Sequence, residues 1–112
     1  IRAKVYMSNV GIKHYEIDGP LFFASTTHFL EKFDSHNDPE EIIVDFKKSR
    51  VADHSGIEAI LKLSERYKKF GKKIKFRHLS RDCQKLLDRA GVIIEVNEVE
   101  DPHYLVADDK ID

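Results

Sequence analysis

The sequence predicts an α/β fold: a mixed, mostly parallel sheet of four to five strands with helices packed on it. Three observations carry that prediction. After an opening hairpin pattern, short apolar runs alternate with amphipathic runs of helical period along nearly the whole chain. The run Ile42-Ile43-Val44-Asp45-Phe46 is almost continuously apolar, which implies a strand buried on both faces, as in a parallel sheet covered by helices. Residues 55–70 repeat apolar side chains at helical spacing and meet Gly71, the pattern of a long amphipathic helix with a glycine stop.

Taken in order, Val5-Tyr6-Met7 and residues 12–17 read as two extended segments, with Tyr15 and Ile17 sharing a side. Asn9-Val10-Gly11 between them predicts a hairpin turn. Gly19-Pro20 breaks the pattern, and Leu21-Phe22-Phe23-Ala24 follows as a compact apolar run suited to a buried strand or strand end. Ser25-Thr26-Thr27 supplies hydroxyls for a helix start, with a helix to about Asp34 burying Phe29, Leu30 and Phe33. Residues 35–39 form a loop before the apolar strand. The next helix is expected to start near Ser55 in a capping box, Ser55 taking one free N–H while Glu58 reaches back to another. Ile57, Ile60, Leu61, Ser64 and Tyr67 form its inner stripe, flanked by Ala59, Leu63 and Phe70. Residues 73–78 alternate, with Ile74 and Phe76 inward and Lys73, Lys75 and Arg77 outward. Ser80 caps a helix to Ala90 that buries Cys83, Leu86 and Leu87, and residues 92–96 give a last strand. A short turn or helix is expected at 104–106, ahead of a charged tail.

The 112 residues bound a single domain over 1–112, long enough for a core of its own. With 19 basic and 20 acidic residues, the chain lacks the strong positive charge of a general nucleic-acid binder. One cysteine cannot form an internal disulfide and fits a reducing compartment. No apolar run reaches the roughly 18–20 residues that span a bilayer. The chain begins at Ile1 rather than Met and is expected to be a piece cut from a longer protein.

Chemistry points to the turn 51–56. Asp53, His54 and Ser55 are the residue types of a nucleophilic relay, but consecutive side chains on a turn diverge, so no catalytic residue is expected. The six histidines form no H-x-x-x-H pair and Cys83 has no C-x-x-C partner, so neither metal nor cofactor is expected. A strand-to-helix turn does offer backbone N–H groups and a positive helix end, so Asp53, His54, Ser55 and Gly56 are candidates for a weak anion or nucleotide contact, opposed by the Asp53 charge. Arg66, Lys68, Lys69, Lys72, Lys73, Lys75 and Arg77 form a basic cluster that suits an acidic protein or an anionic surface.

The apolar strand 42–46, the turn 51–57 and the helix ending in Lys69-Phe70-Gly71-Lys72-Lys73 together resemble a STAS domain. That fold is shared by bacterial anti-sigma factor antagonists and the cytoplasmic C-terminal part of SulP-type anion permeases. Leu86-Leu87-Asp88-Arg89-Ala90-Gly91 is similar to the family's leucine-pair helix end, and Gly19-Pro20-Leu21-Phe22-Phe23-Ala24 resembles a segment of the permease branch. In the antagonists a partner kinase phosphorylates the serine after the turn aspartate. His54 stands there in this chain and cannot take a serine or threonine phosphate. Ser55 matches the following serine, whose matched role is structural, so the resemblance does not carry the phosphoswitch over and Ser55 is left as the phosphorylation candidate.

The resemblance implies a non-enzymatic cytoplasmic regulatory domain of a sulfate-like anion transporter, a plasma-membrane protein. Its partners would be the transmembrane domain of the same polypeptide and an acidic cytosolic protein such as acyl carrier protein, at Lys68, Lys69, Lys72, Lys73, Lys75 and Arg77. Weak nucleotide binding is implied as well. The alternative is a free-standing anti-sigma factor antagonist that switches partners.

Overall fold

The computed structural model describes residues 1–92. Its elements are β1 (Arg2–Met7), β2 (Lys13–Leu21), α1 (Thr26–Glu31), β3 (Glu41–Val51), α2 (His54–Lys69), β4 (Lys73–Arg77) and α3 (Arg81–Arg89). The strands form one sheet in the order β1-β2-β3-β4. β1 and β2 are antiparallel, whereas β2, β3 and β4 run parallel. This is the mixed, mostly parallel sheet that the alternation predicted. The strand expected at 92–96 falls, Val92 apart, outside the described residues, as does the turn at 104–106.

The opening hairpin closes through Ser8, whose N–H donates to the Ile12 carbonyl while Gly11 donates back to Ser8. Gly11 sits at φ 83°, a left-handed conformation that glycine adopts without steric cost. β2 then runs straight through Gly19-Pro20 rather than breaking there. β1 begins opposite Asp18, so residues 19–21 pair only with β3. On that one-sided stretch a proline removes no ladder bond. Leu21 is the buried end of β2, which matches the strand-end reading of 21–24 there, but residues 22–24 do not extend the strand. The chain turns instead, and Phe23 is left 71% exposed.

All three described helices feed one core. Phe29 of α1, Ile57, Ile60, Leu63 and Tyr67 of α2, and Cys83 and Leu87 of α3 cluster with Ile42, Val44 and Phe46 of β3 and with Tyr15, Ile17, Ile74 and Phe76. Among the described residues, the helices pack on one face of β3. Side chains alternate along a strand, so Glu41, Ile43 and Asp45 face the other side, which no described helix covers. Ile43 is nonetheless buried, placed in register between His14 and Lys75.

Three local expectations change as well. Ser25 does not cap α1 by accepting from its first turn. Its Oγ faces backward, accepting from the Phe22 N–H and donating to the Pro20 carbonyl, so it folds the preceding turn. That helix ends at Glu31, short of Asp34. Leu86 is 44% exposed, because the short α3 turns Cys83 and Leu87 to the core.

Candidate functional site

The β3–α2 turn is built around the Asp53 carboxylate. Asp53 is the N-cap residue of α2, in extended backbone, and its Oδ1 accepts from the Gly56 N–H at 3.0 Å. Its Oδ2 accepts from the Phe23 N–H at 2.9 Å. One carboxylate thus caps a helix and fastens the β2–α1 turn to it. The capping box expected from Ser55 and Glu58 is overturned: the helix starts at His54, and Asp53, two residues before Ser55, takes the capping role. Glu58 lies 3.9 Å from His54 Nε2 instead, with both side chains mostly exposed. Such a pair contributes little to stability.

Gly56 explains how the two segments approach so closely. A Cβ there would sit 2.8 Å from Val51 Cγ1 and 2.9 Å from the Leu21 carbonyl oxygen. The Ala52 N–H also donates to that Leu21 oxygen at 2.9 Å. The turn is therefore stitched to the end of β2 by backbone, by a side chain and by the absence of one.

Chemically, the arrangement is a clasp rather than a relay. Both Asp53 oxygens hold backbone N–H groups, and His54 leans toward Glu58 along its own helix. A general-base dyad needs the carboxylate or imidazole within hydrogen-bond reach of a nucleophile. Asp53 also takes one of the amides that an anion at the α2 terminus would use, and it puts a negative charge there. What the turn displays outward is the exposed ring of Phe23 and the imidazole of His54, with Ser55 partly covered. Among the described residues, no group of three or more His, Cys, Asp or Glu side chains is placed to hold a metal ion.

The basic cluster is divided. Lys68 and Lys69 are exposed at the end of α2. Lys72 turns inward, its Nζ donating to the carbonyls of Ser35 (2.7 Å), His36 (2.9 Å) and Asp38 (2.6 Å). Those bonds use all three donors of the ammonium group. Lys75 pairs with Glu41 at 2.9 Å, and alternation puts it with Lys73 and Arg77 on the sheet face away from the core. Lys68, Lys72 and Lys73 do meet along a groove of about 140 Å³ that Ile74 and Gly91 also line.

A second polar centre escaped the sequence reading. Asp38, 5% exposed, accepts from the hydroxyls of Tyr15 and Tyr67, each at 2.5 Å, and from Lys13 Nζ at 2.6 Å. Burial, with the hydrogen bond to Asp38 next, pushes both phenols above their ordinary value. For Lys13, desolvation pulls downward, but the bonds to Asp38 and Tyr15 outweigh it and raise the ammonium pKa. With the Lys72 bonds to its backbone, this network ties the α1–β3 loop to β2 and to the end of α2. The available signal was a Tyr on each inner stripe, because a buried phenol needs a partner.

The sequence pattern of the STAS domain family matches residues 5–103. The chain belongs to the STAS domain family. A putative sulfate transporter, YbaR of Bacillus subtilis (strain 168), is 28% identical over 76 residues, which is 68% of this chain and 16% of that protein. The chain thus spans only a small part of that relative's length. The crystal structure of a sulfate transporter family protein from Wolinella succinogenes is 25% identical, with a TM-score of 0.57 over 77% of this chain and 71% of that one. The anti-sigma factor antagonist SpoIIAA in its unphosphorylated form superposes with a TM-score of 0.67 at 16% identity, covering 94% of this chain and 97% of that one. That last likeness is one of fold. This STAS domain is therefore related to those of sulfate transporters, and it shares its fold with the anti-sigma factor antagonists.

Proposed function

We propose that this STAS domain is a non-enzymatic regulatory and docking domain of a SulP-type, sulfate-like anion transporter, with residues 1–112 forming a single domain on the cytoplasmic side of the plasma membrane. The observation that carries the reading is the Asp53 clasp. It consumes the one acid of the turn in structure and leaves Phe23 and His54 exposed as a rigid recognition surface. Exposed aromatic side chains on a fixed scaffold anchor protein interfaces. The partner of this surface is the membrane part of the same polypeptide. The relationship to YbaR and to the Wolinella structure supports the transporter branch.

A second contact is assigned to Lys68, Lys69 and Lys73, which face an acidic cytosolic protein of the acyl carrier type. Lys72 and Lys75 serve that contact less, since each is already bonded. Charge reversal at Lys68, Lys69 and Lys73 should weaken binding of the acidic partner at least tenfold. Unchanged binding removes this part of the reading.

Ser55 favours a second reading, because it lies partly exposed in the first turn of α2. On that reading the chain is a free-standing partner-switching protein. The two readings separate on the encoded polypeptide. A transporter carries membrane-spanning helices of about 20 apolar residues each ahead of this domain. A switching protein is short and is phosphorylated at Ser55 by a partner kinase. Titration with a nucleotide tests the anion contact at residues 53–56. Binding that Asp53→Asn strengthens would support it, because the opposing charge is then gone.

A further inference from the structure

We infer that β1 is a self-pairing edge, through which two copies of this domain join their sheets in antiparallel register centred on Val5. β1 lies at the end of the sheet, and no described strand pairs with its outer side. The hairpin closure fixes which backbone groups face outward. Ser8 N–H donates to Ile12, so Ser8 points toward β2. Hydrogen-bonding direction alternates along an antiparallel strand. Arg2, Lys4 and Tyr6 therefore bond inward, and Ala3, Val5 and Met7 present N–H and C=O groups to the outside. An uncovered row of such groups is a template for another strand. The side chains there are apolar and open to solvent, with Val5 46% and Met7 54% exposed.

The occupant follows from charge and register. Outward-facing residues must pair with outward-facing residues for the ladder to form. Pairing centred on Ala3 sets Arg2 opposite Lys4 of the second copy, and pairing with Lys4 opposite Lys4 is worse, because like charges directly opposed are destabilising. Centring on Val5 avoids both. Val5 meets Val5, Ala3 meets Met7, and three residue pairs exchange about six main-chain bonds. Pairing Tyr6 with Tyr6 also avoids like charges but loses about a third of those bonds. In the Val5 register Lys4 of each copy lies opposite Tyr6 of the other. The Tyr6 hydroxyl donates to Glu16 Oε2 at 3.3 Å, so the incoming ammonium meets both a ring face and a carboxylate. The result is one continuous sheet across the two copies, independent of the β3–α2 turn.

Sedimentation and cross-linking of the 112-residue chain test this. The wild type should show a concentration-dependent dimer below about 1 mM. Val5→Pro removes only an outward donor and should weaken the dimer at least tenfold with its circular dichroism unchanged. Lys4→Gln, which removes the charge without setting a second carboxylate opposite Glu16 in its own strand pair, should weaken it too. Under mild oxidation Val5→Cys should form a disulfide dimer and Tyr6→Cys should not, since hydrogen-bonded partners lie about 5.5 Å apart at Cα. A wild type that stays monomeric overturns the proposal. So does a dimer indifferent to Lys4→Gln, or one that Tyr6→Cys captures in place of Val5→Cys.

Discussion

Gly56 is the residue on which the candidate site most visibly depends. Its added Cβ would press on Val51 Cγ1 at 2.8 Å and on the rigid Leu21 carbonyl oxygen at 2.9 Å. Gly56→Ala should therefore destabilise the domain by about 1–3 kcal/mol, read as a lower urea midpoint at unchanged m-value. Asp53→Ala removes a helix cap and a cross-link to Phe23 together. It should cost about 1–2 kcal/mol, and amide exchange at Phe23 should speed up beyond the global change. Phe23→Ala contrasts with both. That ring is 71% exposed, so stability should stay within about 0.5 kcal/mol while partner binding falls. Asp38 holds two phenols and an ammonium group, and Asp38→Ala strands them. A loss of about 3–5 kcal/mol is expected for breaking so buried a network.

Between elements, the Asp38 network gives the fold a signed pH dependence. Tyr15 and Tyr67 titrate above their ordinary 10.0 in the folded chain. Raised values mean that folding favours the protonated forms, and Lys13 is raised as well. Their contribution is complete below the unfolded value and is lost as pH climbs above 10.0, because only the unfolded chain then ionises freely. Stability should stay level through neutral pH and decline in alkali, with a shallower decline in Tyr67→Phe, as urea titrations at stepped pH can show. The sequence makes the elements themselves legible. Periodicity located the long α2, the core strand β3 and the hairpin, since each follows from one local pattern. Helix starts were harder to read. Asp53 and Ser55 both suit an N-cap, and the contest is decided by Phe23, thirty positions away, whose N–H only Asp53 reaches. Phe22-Phe23 looked like strand for a related reason: an apolar pair cannot reveal that Ser25 bends the chain before it. Asp38 gave no local sign at all, because its donors come from β2 and α2.

At the scale of the molecule, the three described helices pack on one face of the sheet, and on the other face polar side chains flank the buried Ile43. Lys75–Glu41 and the stacked Tyr6–His14 pair, with ring centroids 4.7 Å apart, lie along that face. The clasp and the Asp38 network act on different loops of this frame. Asp53 fastens the turns at Phe23 and Gly56, whereas Asp38 and Lys72 fasten the α1–β3 loop. The exposed side chains of Phe23 and His54 can then serve recognition without carrying the stability of the core. Anion uptake by the complete encoded polypeptide in proteoliposomes, comparing wild type with Phe23→Ala/His54→Ala, tests the docking claim most directly. The account predicts sulfate-type anion uptake that changes several-fold in the double variant, with the melting temperature of the domain unchanged. Uptake identical in the two proteins, or a complete polypeptide that transports no anion, would contradict it.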